Sequence, residues 1–190
     1  QFQVSDPLFK REVRLEYDDY QPYRLRVGDV RTDLAYDRGL FASYSPWEGG
    51  DLAFILANGN GLEEADADRQ YDTDAVKNVA VRYSQDIFGP LRLGGYAYFG
   101  KEYFDDVPDA VRIYGPDATL SFGNVELNAQ YLRRTDSNPF FVPGGAPAVE
   151  VNSAFVEMIW SPQGPDGRWH AAGLYNWIDA AEPAINMRLE

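Results

Sequence analysis

The stretch DIFGPLRLGGYAYFGKEYF, residues 86–104, carries a short turn followed by a long run rich in Tyr, Phe and Gly. The residues before it, VKNVAVRYSQ (76–85), alternate in character and enter the same turn. Together they read as one antiparallel hairpin whose arms exceed the about 5–6 residues of an ordinary strand. Alternation sorts each arm into two faces. Val79, Val81, Tyr83 and Ile87 share one side of the first arm, and Asn78, Ala80, Arg82, Ser84 and Asp86 share the other. In the second arm Leu91, Leu93, Gly95, Ala97 and Phe99 oppose Arg92, Gly94, Tyr96, Tyr98 and Gly100. Pairing Ile87 with Leu91 across FGP makes the apolar faces coincide and sets Asp86 opposite Arg92.

Three further hairpins follow the same plan. RGLFASYSP (38–46) and DLAFILANG (51–59) flank WEGG; AVRIYGPDATLSF (110–122) and VELNAQYLRRT (125–135) are joined by GN, a tight-turn signal. VEVNSAFVEMIWS (149–161) and RWHAAGLYNWID (168–179) flank PQGPDG, with Trp160 expected to face Trp169. In the strand at 125–135, Val125, Leu127, Ala129 and Tyr131 oppose Glu126, Asn128, Gln130 and Leu132. Longer polar links join the hairpins, at 60–75, 105–109 and 136–148. Short turns at one end and longer loops at the other describe an all-β, antiparallel up-and-down meander, the asymmetry of a transmembrane β-barrel.

Composition agrees with strands and narrows the partners. The chain has 190 residues, 15% of them aromatic, with 30 acidic and 17 basic side chains for a net charge of −13. Phosphate backbones need a basic face, so no nucleic-acid partner is expected. With no Cys there is no disulfide, thiolate metal site or haem attachment. The longest apolar run without Gly, LAFILA (52–57), is far short of the roughly 20 residues of a spanning helix. Barrels cross instead with strands of about 9–11 residues and look hydrophilic on average.

Catalytic constellations are scarce. His170 is the single histidine and no G-x-S-x-G segment accompanies it, which argues for a structural or lumen-facing role. Asp105 and Asp106 are adjacent and point to opposite faces of a strand, poor geometry for a glycosidase pair. The acidic run Glu63, Glu64, Asp66, Asp68, Asp72 and Asp74 lacks the spacing of an EF-hand and reads as a solvated loop. NGNG (58–61) is a turn, not a phosphate loop. The chain is read as no enzyme, with no cofactor and no metal.

Residues 1–40 resemble a stretch of the phosphate-selective porin (porin O and P) family. The resemblance rests on Phe2, Pro7, Arg11, Glu12, Tyr23, Arg24, Asp37, Arg38 and Gly39: a strand, an excursion with an aromatic, Arg-containing patch, and a return strand marked D-R-G. It implies an outer-membrane location, and an excursion within 1–37 that folds into the barrel and narrows the pore. Carried over by position, Arg11, Arg24, Arg26, Arg31 and Arg38 are the pore-lining candidates, joined by Arg82, Arg92, Arg112 and Arg133 from the strands. The chain departs from the family in lacking a Lys ladder, and Asp18, Asp19, Asp29 and Asp33 interleave the arginines. A general or weakly selective pore fits that mixture better than a phosphate-selective one.

The expected function is passive passage of small hydrophilic solutes or ions, with charge at the constriction setting selectivity. Membrane lipid is the expected surrounding partner, with other copies of the chain or a protein in the lumen as further ones. Residues 1–190 are expected to form a single barrel unit belonging to a longer chain. Two other readings stand beside this one. The chain is a soluble β-sandwich that binds carbohydrate or protein through exposed Trp and Tyr, or it is the barrel sheath of an outer-membrane electron conduit. A period-two pattern does not say which face meets solvent, and that face decides between barrel and sandwich.

Overall fold

A computed structural model describes residues 19–32, 34, 37–59, 76–164 and 166–180. The acidic run 63–74, Pro7, Arg11 and Glu12 lie outside the described residues. Eight strands form one antiparallel meander, each paired with its neighbours in sequence. They are β3 (Gly39–Tyr44), β4 (Gly50–Ala57), β5 (Asn78–Phe88), β6 (Leu91–Phe104), β7 (Val107–Phe122), β8 (Val125–Asp136), β9 (Val149–Trp160) and β10 (Ala171–Ala180). Ahead of them a 3-10 turn, Gln21–Tyr23, leads into a two-stranded ribbon of β1 (Arg26–Val27) and β2 (Val30–Arg31). Among the described residues β3 and β10 are the free edges and the sheet is not closed.

The four expected hairpins are the four strand pairs β3–β4, β5–β6, β7–β8 and β9–β10. Asp86 pairs with Arg92 as the alternation requires, but Ile87 does not meet Leu91. A one-residue bulge at Ile87 lets Phe88 take that partner, returning it to the face of Leu91. Trp160 pairs with Ala171, and Trp169 lies before β10, exposed.

The links are less uniform than the sequence suggests. Residues 105–109 are not a loop: β6 ends at Phe104 and β7 begins at Val107, leaving only Asp105 and Asp106 to turn. Both have positive φ, 48° and 63°, the left-handed pair of a type I′ hairpin, which Asp tolerates better than most residues. The connection 161–170 is longer than a tight turn. His170 staples it, with Nδ1 2.9 Å from Ser161 Oγ and Nε2 2.7 Å from the Gly167 carbonyl.

One ladder is interrupted within a strand. Pro116 has no N–H, and the pairing of β7 with β8 passes from Tyr114–Arg133 to Asp117–Gln130 without Gly115 and Pro116.

The two faces of the sheet differ in kind. One is covered: Ile55, Ala57, Ala80, Tyr96, Tyr98, Val111, Ile113, Leu132 and Phe155 form a single core with Tyr20, Tyr23, Val30 and Leu34 of the preceding segment. That same covered face carries Arg82, Ser84, Asp117, Asn128, Gln130, Arg134 and Glu157, all buried. The open face carries the apolar half of the pattern. Leu52, Phe54, Tyr83, Leu93, Phe99, Tyr114, Leu120, Leu127, Tyr131, Val156, Met158, Tyr175 and Trp177 are all exposed on it.

Candidate functional site

The covered face is held by hydrogen-bonded charge, row by row. Nearest the short turns, Arg92 donates to Asp86 (2.6 Å), to Ser84 Oγ (2.7 Å) and to Asp51. One row on, Arg82 reaches across β6 to Asp117 at 2.5 Å, with side chains 4% and 2% exposed. Between them lies Gly94, where a Cβ would stand 2.5 Å from the Asp117 carboxylate. Any larger residue there would displace the pair, so the Gly-Gly step of the quoted stretch makes room for an ion pair. A third chain of bonds runs from Thr119 Oγ1 to Asn128 (2.9 Å) and from Asn128 Nδ2 to Glu157 (3.1 Å).

The preceding segment docks on these groups. Tyr20 donates its hydroxyl to Glu157 (2.7 Å) and Tyr23 donates to Gln130 (2.7 Å). Both rings pack edge-on to Phe155, with centroids 4.9 and 5.6 Å away. Arg134 locks the ribbon: it holds Asp136 through two bonds of 2.8 and 2.6 Å while donating to the carbonyls of Leu25 (2.5 Å) and Val30 (3.5 Å). Asn176 on β10 donates to the Asp19 carbonyl (2.9 Å), so the segment lies across the covered face as far as the sheet edge.

Burial pushes the Tyr23 hydroxyl well above its ordinary 10.0, and the nearby Asp117 carboxylate pushes the same way. A tyrosine neutral when folded but free to ionise when unfolded stabilises below pH about 10 and loses that contribution as pH rises. Thermal unfolding of the protein is expected to fall in temperature above pH about 10. The fall should be shallower in Tyr23→Phe; an equal alkaline slope in both proteins would remove Tyr23 from this role.

Of the arginines singled out from sequence, Arg82 and Arg92 lie together on the covered face. Arg112 and Arg133 lie on the open face, Arg133 paired with Glu150 at 2.7 Å, so they share no lining with the first two. Arg24 is exposed after the 3-10 turn, Arg26 is exposed and pairs with Asp29 at 3.4 Å, and Arg38 is half-buried beside Asp37. Arg31 forms part of β2, with its side chain outside the described residues, as is the whole of Arg11.

Sequence reasoning missed Arg134, Asp117 and Glu157, although extending the alternation of 125–132 by one step puts Arg134 with the polar set. Asp117 Oδ2 and the Tyr96 hydroxyl are buried without a hydrogen-bond partner among the described residues. Among those residues no three His, Asp or Glu side chains converge as metal ligands would. No protein-family model, no curated protein and no solved structure gives a significant match to the chain.

Proposed function

We propose that the chain forms part of the wall of an outer-membrane porin-like channel, with residues 19–34 folded against its inner face. One observation carries this reading. Between the short turns and the level of Arg112 and Arg133, the open face holds no charged side chain on any of the eight strands. On β6 it reads Leu91, Leu93, Gly95, Ala97, Phe99; on β7 Tyr114, Pro116, Ala118, Leu120, Phe122; on β9 Ala154, Val156, Met158, Trp160. A soluble sandwich covers its apolar face and wets its polar one. Here the ion pairs are covered and the aromatics open, the order a bilayer selects.

The dimensions suit a bilayer as well. β4 begins opposite Gln85, which pairs with Leu93; the next turn lies two residues further, at Leu91, and the one after it two further again, at Phe122. That is one residue per strand from β4 to β8, the last connection adding no step because Trp160 pairs with Val125. About 3.4 Å of stagger on a strand spacing of about 4.8 Å tilts β4 to β8 by about 35°. From Arg112 to Phe122 is then about 34 Å along β7 but about 28 Å along the normal, against an apolar band of about 25 Å. Exposed aromatics mark each turn at the lower edge: Tyr44 and Trp47, Phe88, Phe122, Trp160 and Trp169. A girdle of this kind belongs at a membrane interface.

The resemblance of residues 1–40 to phosphate-selective porins supports the same architecture, and the inner charges argue for a different preference. Among the covered-face charges that are not buried, Arg92 stands against Asp51, Asp86, Glu102 and Glu126, an acid excess that favours cations. Two measurements test this reading on the parent polypeptide. It is expected to resist a carbonate wash of cell membranes and leave only with detergent. Reconstituted in a planar bilayer under a salt gradient, it is expected to give a reversal potential of cation sign. Recovery in the soluble fraction would overturn the channel, and an anion-sign potential would overturn the assignment of the wall.

A further inference from the structure

We propose that Lys101, Arg112 and Arg133 form a cation row on the open face that holds the phosphates of an outer-leaflet glycolipid. The proposal rests on the membrane reading and adds a binding site to the outside of the wall. The three residues lie on adjacent strands β6, β7 and β8. Lys101 pairs with Ala110, and Arg112 is two residues nearer the short turns; Arg112 pairs with Thr135, and Arg133 is again two nearer. The row therefore steps in the same direction as the turns, at two residues per strand against their one, and so crosses the strands at about 20° to the plane of the turns.

Its height and neighbours fit a headgroup layer. The row borders the charge-free band on the side of the long links 58–77 and 137–148, and in barrels the longer loops face outward from the cell. Aromatic rings alternate with the cations. Phe99 pairs with Arg112, Tyr114 pairs with Arg133, and the Lys101 ammonium stands 4.8 Å over the Tyr103 ring. Rings at the ester level with guanidinium groups above them leave the charged ends free for phosphate, which Arg binds through two parallel donors.

In a chain of net charge −13, three cations gathered on one patch are complementary to an anion that the rest of the surface repels. Two carboxylates stand at the level of the row: Glu150, 53% exposed and bound to Arg133, and Asp179 of β10, exposed and opposite Asn152, the partner of Arg133. The acidic tip Asp105–Asp106 is four residues beyond Lys101, about 14 Å along the strand. Arg112 is exposed and has no carboxylate partner among the described residues.

The test uses the full chain, extracted in detergent and incubated with a bis-phosphorylated glucosamine-disaccharide lipid or its dephosphorylated counterpart. Retained lipid is counted by native mass spectrometry. The phosphorylated lipid is expected to be retained preferentially. The triple variant Lys101→Gln, Arg112→Gln, Arg133→Gln should lower that retention by about tenfold or more, while still resisting carbonate. Glu150→Gln, which frees Arg133, should raise it. Equal retention of the two lipids, or no response to the triple variant, would overturn the row as a phosphate site and leave the channel standing. Equal displacement of the lipid by millimolar inorganic phosphate in wild type and triple variant would overturn it too. A wild-type chain released by carbonate would overturn both proposals at once.

Discussion

Val81→Arg is expected to abolish most of the assembled, carbonate-resistant protein. Val81 lies mid-strand on β5, on the open face, paired with Phe54 on one side and Ala97 on the other. A guanidinium at that depth costs about 2–4 kcal/mol near a bilayer midplane. For a protein of ordinary marginal stability this is a large share of the total. On the open surface of a soluble sheet the same change would be within about 0.5 kcal/mol. Val81→Leu keeps the site apolar and should assemble normally. If Val81→Arg assembled as well as Val81→Leu, the open face would be facing water.

The second large effect is expected at Arg134. Its guanidinium is 3% exposed, its partner Asp136 is fully buried, and it binds two carbonyls of the ribbon besides. Arg134→Met leaves a buried carboxylate without its cation, a loss of about 3–5 kcal/mol. Adding Asp136→Leu to Arg134→Met should restore much of that stability, since replacing a whole buried pair by apolar residues is often neutral. The double variant would still lack the donors to Leu25 and Val30, so the ribbon should become open to protease while the sheet stays protected. A double variant no more stable than Arg134→Met would assign the loss to the ribbon contacts alone.

Much of the sheet was legible because it is written locally. Period-two alternation and the turn residues gave four hairpins, and the opposition of Asp86 and Arg92 follows from counting outward from FGP. Local chemistry also explains where the reading stopped. An Asp-Asp pair in left-handed conformation closes β6 onto β7 in two residues, a geometry usually signalled by Asn-Gly, so the sequence looked like a loop. The Ile87 bulge moves Phe88 to the other face with no composition signal of its own. The ties that build the covered face are not local: Tyr20 meets Glu157 and Tyr23 meets Gln130 across more than a hundred residues, and periodicity carries no information about such partners. Arg133 and Arg134 are neighbours in sequence on opposite faces, and only parity separates the two.

Pro116 has a consequence for how the sheet yields. The missing ladder bond falls within the charge-free band, where, if the proposed bilayer covers that face, no water would replace it. Below the gap β7 and β8 are held from Asp117–Gln130 to the Gly123–Asn124 turn, and above it from Val111–Asp136 to Tyr114–Arg133. The boundary between these strands is thus two short zippers in series, and local opening should begin at the break and spread outward from it. That seam is where the backbone would first exchange its protons, and where a strained sheet would part.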